Sequence, residues 1–120
     1  MNTCTFSWPP RECSPNWRGH WAAKAKAAKA YRKECWVLAL SAGLKAEKHA
    51  TVYVSITFHP PSRRRYDLDN CVGSLKNGLD GLADALGVND YQFRINASLA
   101  GSEPSGRVFV RISDNAPEAA

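Results

Sequence analysis

The chain lacks the cysteine and histidine spacing of a structural metal site. Its four cysteines are scattered, no two form a C-x-x-C pair, and its three histidines lie apart from them. Zinc fingers and ribbons need such close pairs, so the sequence predicts no zinc site. We expect reduced and mostly buried thiols instead, at Cys4, Cys13, Cys35 and Cys71.

Long apolar runs are also missing. No stretch approaches the roughly 20 residues of a membrane span, and residues 1–8 show no basic segment followed by an apolar block, as a secretion signal would. The sequence therefore predicts a cytoplasmic protein that does not enter a membrane. No internal repeat is visible, and the 120 residues suit a single domain, 1–120, in which 113–120 are expected to form a flexible tail.

Charge is distributed unevenly along the chain, whose net charge is +5. Residues 1–65 hold 12 Lys/Arg and 3 Asp/Glu, a balance of +9, whereas residues 66–120 hold 4 and 8, a balance of −4. A basic half beside an acidic half is typical of a surface that binds a polyanion next to a cluster that binds cations. Lysines that only keep a helix in solution give the same count, so charge alone leaves nucleic-acid binding open.

The hydrophobic pattern predicts an α/β (α+β) domain, with a small mixed β-sheet and two helices in the order β-α-β-α-β-β. Alternating or short apolar runs predict strands at 4–8, 50–58, 93–99 and 107–112. The last two are expected to form a hairpin around a loop at 101–106. Helices are expected at 21–42, which ends before Gly43, and at 70–86, where five apolar residues recur at gaps of three and four.

Large apolar side chains raise two further expectations. The second half of the first helix is expected to be buried and its lysine-rich first half exposed, because the second half contains Trp36, Val37, Leu38 and Leu40. Three roles are open for the four tryptophans: packing in the core, packing at a subunit interface and stacking on exposed bases. These residues are Trp8, Trp17, Trp21 and Trp36.

The segment between the second strand and the second helix contains the densest cluster of charged residues. It reads Arg63-Arg64-Arg65-Tyr66-Asp67-Leu68-Asp69-Asn70. Arginines attract phosphates, whereas two neighbouring carboxylates repel them unless a divalent cation lies between. If the segment is extended, Asp67 and Asp69 point the same way and can face one hard cation such as Mg²⁺. Capping of the following helix explains one of the two aspartates, but not both.

A third carboxylate, Asp90, follows the predicted helix. That helix carries the chain roughly 25 Å from Asp69 at 1.5 Å per residue. Asp90 therefore meets the pair only if the chain doubles back or if a partner subunit supplies it; an ordinary loop aspartate is the alternative. Lys76 and Asp80 are four residues apart, which indicates either a routine helix ion pair or a lysine that stabilises charge on a phosphate.

Taken together, these residues resemble the RusA-like Holliday junction resolvases (crossover junction endodeoxyribonucleases), small enzymes common in phages and prophages. The resemblance covers most of residues 5–112 and depends on Phe58-His59-Pro60-Pro61, the arginine run, Asp67-Leu68-Asp69-Asn70, Lys76, Asp80-Gly81-Leu82 and Asp90-Tyr91-Gln92-Phe93. It implies a homodimer that requires Mg²⁺, or Mn²⁺ as a substitute, and resolves four-way DNA junctions by paired symmetric nicks in recombination and repair.

The resemblance also implies roles for individual residues. Asp67, Asp69 and Asp90 would bind the metal, with Asp90 folding back within its own subunit, and these three would be catalytic together with Lys76. From the charge pattern we expect DNA phosphates to contact Arg63, Arg64, Arg65, Lys24, Lys29 and Arg32. A solvated loop is the alternative for the arginine run.

Two features depart from the family pattern. Lys76 lies seven residues after Asp69, three more than in the family, which predicts inserted residues that form a loop or bulge at 71–73, with irregular backbone near Gly73 that brings the lysine within reach. Asn89 occupies a position where the family often has another aspartate. These departures keep a second hypothesis open, a branched-DNA-binding protein with impaired catalysis. An aspartyl-phosphate phosphatase is disfavoured, because two prolines and three arginines separate the strand from Asp67.

Overall fold

Four strands and three helices make up the fold in the residues that the computed structural model describes, 2–101 and 104–116. They follow the chain as β1 (Thr3–Ser7), α1 (Trp21–Ser41), β2 (Val52–His59), α2 (Leu68–Ser74), α3 (Lys76–Leu86), β3 (Phe93–Leu99) and β4 (Arg107–Ser113), with 3₁₀ turns at Arg11–Cys13 and Asp90–Gln92. The predicted class, an α/β domain with a small mixed sheet, is confirmed.

The sheet has the strand order β1-β4-β2-β3, with β2 parallel to β3 and β4 antiparallel to both β1 and β2. The predicted hairpin of the last two strands is wrong, because β2 lies between them. The inward positions of β2 are all apolar and buried, at Val52, Val54, Ile56 and Phe58. A strand with this pattern buries more apolar surface at the centre of the sheet, where both of its edges are paired, than it would at an edge.

Helices α1 and α3 pack against each other at very short range. A Cβ atom at Gly81 would lie 2.2 Å from the carbonyl oxygen of Arg32, and one at Gly78 would lie 2.9 Å from the ring of Tyr31. The two glycines therefore let the backbones approach more closely than any other residue would allow. The Tyr31 hydroxyl donates a hydrogen bond of 2.7 Å to the carbonyl oxygen of Ser7, which ties this interface to β1.

The expectation that the second half of α1 is buried is wrong. Trp36, Val37 and Leu40 are 38%, 44% and 48% exposed. The fully buried residues of the helix are Tyr31, Cys35 and Ala39. These three are four residues apart, so burial follows one narrow stripe along the helix and not one half of its length.

The helix predicted at 70–86 begins earlier, at Leu68, and is interrupted at Leu75. Residues 71–73, expected to be a loop or bulge, are helical, so the irregular backbone was predicted too early in the chain. The Ser74 hydroxyl donates to the carbonyl oxygen of Asn70 at 2.7 Å. A serine bonded back in this way, next to Gly73, is a recognised cause of helix bending. The predicted apolar stripe is confirmed, with Leu75, Leu79, Leu82 and Leu86 buried.

All four cysteines belong to the described part of the chain, and each is a buried free thiol, as predicted. Burial raises the pKa of Cys4 to about 11 and, as the main cause, that of Cys35 to about 12. These thiols therefore stay protonated near neutral pH and behave as apolar core side chains.

The C-terminal strand extends to Ser113, which pairs with Tyr53, so any tail begins after that residue. Residues 117–120 of the predicted tail and 102–103 of the predicted loop lie outside the described residues. Among the helices of the described ranges, none combines the length and apolar character needed to cross a membrane.

Candidate nucleic-acid groove and carboxylate sites

A groove of about 500 Å³ opens beside the arginine run. Its walls come from residues 8–17, ahead of α1, and from residues 64–74, around the start of α2. The lining residues that matter for binding are Arg11, Arg64, Arg65, Trp8, Trp17 and Asp67, and we call this surface the basic groove. Three guanidinium groups on one concave surface supply the donors that a phosphate-bearing ligand needs.

Packing between distant segments shapes the basic groove. A Cβ atom at Gly73 would lie 2.6 Å from the side chain of Pro15, so α2 packs directly on the N-terminal segment. Trp8 packs edge-on against Phe58 and Tyr66, with ring centroids 5.9 and 5.5 Å apart. The half-buried Trp8 therefore joins the central strand to the segment that carries the arginines.

Two of the arginines lie over aromatic rings. The guanidinium carbon of Arg11 is 5.6 Å from the ring centroid of Trp17, and that of Arg64 is 4.5 Å from the ring centroid of Tyr66. Stacking of this kind restrains the guanidinium plane and leaves its edge donors available to a ligand. Burial raises the pKa of Tyr66, but the hydrogen bond with Ser62 and the nearby Arg64 outweigh burial and lower it below its usual value.

The two aspartates of the D-x-D pair differ in conformation. Asp67 has extended backbone and caps α2, because its carboxylate accepts the amide of Asp69 at 2.9 Å. Asp69 already belongs to the first helical turn, so the pair does not form the extended segment that would point both carboxylates the same way. Both residues are exposed, and none of the described hydrogen bonds or ion pairs engages the carboxylate of Asp69.

A second charged cluster forms around Lys76. Its ammonium lies 3.3 Å from a carboxylate oxygen of Asp80 and 3.3 Å from one of Asp90. The predicted helix ion pair is therefore present, and Asp90 joins it because the chain turns back after α3. The hydrogen bond that Lys76 donates to Asp80, with a further one that it donates to Asp90, raises the pKa of Lys76, so the lysine stays a cation near neutral pH.

Asn89 explains how Asp90 is positioned. Its side chain accepts the amide of Tyr91, and the side chain of Gln92 accepts the amide of Asn89, which makes a capping box around the 3₁₀ turn. The Gln92 amide also donates to the carbonyl oxygens of Lys48 and Ala50. Asn89 thus has a structural role at the start of this turn.

Asp90 and the D-x-D pair lie in different local settings. Asp90 is paired with Lys76, whereas Asp67 caps α2 and Asp69 lies in its first turn. Residues 2–101 and 104–116 contain no group of three or more His, Cys, Asp or Glu side chains placed to hold a metal ion. A three-carboxylate site within one subunit does not fit these side chains, although Asp67 and Asp69 offer the hard oxygen ligands that Mg²⁺ prefers. The metal site and the catalytic roles stay predictions.

The six residues predicted to bind DNA lie in different surroundings. Arg64 and Arg65 line the basic groove, and Arg63 is exposed beside them. Lys24 instead donates to the carbonyl oxygens of Glu12 and Ser14, and so supports the groove from behind. Lys29 and Arg32 lie elsewhere, in a shallow pocket on α1.

Arg32 makes a two-pronged ion pair with Asp84, at 2.7 and 3.0 Å, that bridges α1 and α3. The hydrogen bond between them raises the pKa of Arg32 and lowers that of Asp84.

Sequence analysis missed Arg11, whose only local signal is the pair of prolines before it. Nothing in the spacing of the chain shows that Arg11 comes close to Arg64.

The chain is similar to a curated protein. An uncharacterized protein of Xylella fastidiosa (strain Temecula1 / ATCC 700964) is 38% identical to the chain over 96 residues, which are 78% of this chain and 63% of that protein. The chain thus spans less than two thirds of the relative that it matches. No protein-family model matches the chain.

Proposed function

We propose that the protein is a Mg²⁺-dependent, structure-selective endodeoxyribonuclease that resolves four-way DNA junctions by paired symmetric phosphodiester hydrolysis. One observation supports this above all: the basic groove combines three arginines with Asp67, and Asp69 follows within the first turn of α2. Arginines bind a phosphate electrostatically. Carboxylates beside it would repel the phosphate unless a divalent cation lies between the two. A bound Mg²⁺ would activate water and offset charge on the phosphate.

The chain's own residues divide the work in this proposal. Arg11, Arg64 and Arg65 bind and orient the DNA backbone along the groove. Lys76 is kept protonated by Asp80 and Asp90, so it supplies positive charge and does not act as a general base. The preference for a four-way junction depends on the resemblance to RusA-like resolvases, and the two-fold symmetry of such a junction suits a homodimer.

A branched-DNA-binding protein with impaired catalysis is the second candidate. The observation that favours it is that Asp90 is paired with Lys76, and that residues 2–101 and 104–116 contain no group of three or more His, Cys, Asp or Glu side chains placed to hold a metal ion. A protein of this kind would keep the groove and its arginines but bind the metal weakly or not at all.

The test is a cleavage assay on a synthetic four-way junction labelled at one 5′ end. Wild type should nick it with Mg²⁺ or Mn²⁺ and not with EDTA. Asp69→Asn should slow nicking at least a hundredfold, while junction affinity changes less than twofold, because the amide side chain keeps its size and loses its charge. Glu47→Gln, an exposed change of the same kind in the loop before β2, serves as the control.

The outcomes separate the two candidates. Nicking that survives in EDTA, or that falls equally in Asp69→Asn and Glu47→Gln, contradicts the metal-dependent proposal. Tight junction binding by wild type with no nicking in either metal selects the binding protein instead.

A further inference from the structure

The sheet has a second, quite different surface on the side that faces away from the helices. Buried and exposed positions alternate strictly along β4, and buried and half-exposed positions alternate along β2. Helices therefore cover one face only. We call the other face the outer sheet face; its side chains come from Thr3, Thr5, Tyr53, Ser55, Thr57, His59, Arg94, Asn96, Ser98, Arg107, Phe109 and Arg111.

The outer sheet face is basic and rich in hydrogen-bond donors. Arg94, Arg107 and Arg111 are exposed on it, and none of its outward strand positions is acidic. The register places Arg111 between Thr3 and Ser55. Arg107 lies beside His59 on one side and beside Ser7 on the other, where the Ser7 hydroxyl donates to Glu34 of α1. Guanidinium groups flanked by hydroxyl and imidazole side chains suit a chain of phosphates, which needs both charge and hydrogen bonds.

Part of the outer sheet face is concave. A hollow of about 460 Å³ is lined by Thr3, Tyr53, Ser55 and Arg111, and its rim is formed by residues 112–116. Asp114 is the one acidic residue in that lining. An extended polymer can therefore lie across the strands and contact Arg111 from within the hollow.

Phe109 is the unusual residue of this surface. It is 40% exposed and lies between Thr5 and Thr57, so its cross-strand neighbours on this face are polar. A large aromatic side chain in a polar and basic setting offers a ring on which an unpaired base can stack. A base within a duplex is already stacked on its neighbours, so this feature favours single strands over duplexes.

We propose that the outer sheet face binds a segment of single-stranded DNA, with phosphates on Arg107 and Arg111 and a base on Phe109. A second copy of this chain is a poor occupant, because the face carries three arginines and no acidic outward strand position, so two such faces would repel each other. The site shares no residue with the basic groove and requires no cleavage, so it goes beyond the function proposed above.

The test measures binding of a fluorescent oligothymidylate in EDTA over a range of salt concentrations. Arg107→Gln with Arg111→Gln should weaken binding about tenfold or more, and should reduce the slope of log affinity against log salt by about 1.4, since each phosphate contact on a single strand contributes about 0.7. Lys45→Gln with Lys48→Gln removes the same charge from an exposed loop and should leave affinity within twofold.

Phe109→Ser separates stacking from charge. It should weaken oligothymidylate binding about fivefold or more with an unchanged salt slope, because base stacking on an aromatic side chain contributes about 1–3 kcal/mol. It should leave binding of a duplex of the same length unchanged. Wild-type affinity and slope in the double arginine variant, or an equal loss in the lysine control, overturns the proposal.

Photo-crosslinking of the wild-type protein provides a measurement that needs no variant. An oligonucleotide carrying 5-iodouracil should crosslink to Tyr53 or to the peptide that contains Phe109. Crosslinks confined to Trp8, Trp17 and Tyr66 would assign the single strand to the basic groove and overturn the proposal. Because these assays contain EDTA, they succeed or fail independently of junction cleavage.

Discussion

The α1–α3 interface and the basic groove are built on opposite principles. At the interface a single added carbon at Gly81 would collide with backbone, and the neighbouring side chains Tyr31 and Cys35 are buried. In the groove, arginines lie over aromatic rings at an open surface. Volume determines the residues of the interface, whereas charge determines those of the groove. Substitutions in the first should therefore change stability, and substitutions in the second should change affinity.

Gly81→Ala should give the largest effect. Its Cβ would lie 2.2 Å from the carbonyl oxygen of Arg32, which belongs to a helix backbone and has little freedom to move. Overpacking typically costs 1–3 kcal/mol, and we expect about 3 kcal/mol or more here because the clash is with backbone. That loss lowers the folded-to-unfolded ratio more than a hundredfold, and urea unfolding followed by circular dichroism measures it.

Gly101→Ala is the matched control for that change. A Cβ at Gly101 would meet no atom within 4 Å, so the free energy of unfolding should change by less than about 0.5 kcal/mol. Equal losses in the two variants would show that close approach of the helices is not what Gly81 provides.

Arg64→Ala should give an intermediate effect that falls on binding. It removes one guanidinium from the groove, so junction affinity should drop about tenfold and the salt slope should decrease by about 0.9, the value for one phosphate contact on duplex DNA. The free energy of unfolding should change by less than about 1 kcal/mol, because Arg64 is exposed. Fluorescence anisotropy at several salt concentrations measures both quantities of binding, and an unchanged slope would place Arg64 outside the contact surface.

Lys76→Ala should give only a small loss of stability. Its ion pairs with Asp80 and Asp90 are at the surface, and exposed pairs contribute about 0.2–1 kcal/mol each at most. Urea unfolding should therefore show a loss below about 2 kcal/mol. A larger loss would mean that this cluster supports the turn after α3. Under the proposed function, the same variant should lower the cleavage rate far more than junction affinity.

Local patterns predicted the elements well. Strand β2 follows from its strict alternation, and α1 ends where Gly43 adopts a positive φ of 73°. The strand order could not be read in the same way. The hairpin prediction failed because sheet order depends on competition between distant strands, and the most apolar strand takes the central position.

The candidate site was predictable in composition and not in geometry. The arginine run does border a groove, yet the partner residue Arg11 comes from a segment with no periodic signal. The sequence left open whether the chain doubles back after the second helix to bring Asp90 to Asp67 and Asp69. The actual partner of Asp90, Lys76, follows from a capping box at Asn89 that no charge pattern reveals.

The position of Asp67 at the head of α2 has a practical consequence for genetics. Alanine at this position removes a carboxyl group and also leaves the amide of Asp69 without its acceptor, which costs about 1 kcal/mol. Asparagine removes the charge but still caps, so the two substitutions will report different things. Asp69 does not cap the helix, so its substitution by alanine removes only the charge. The same substitution will therefore have different effects on stability at these two aspartates.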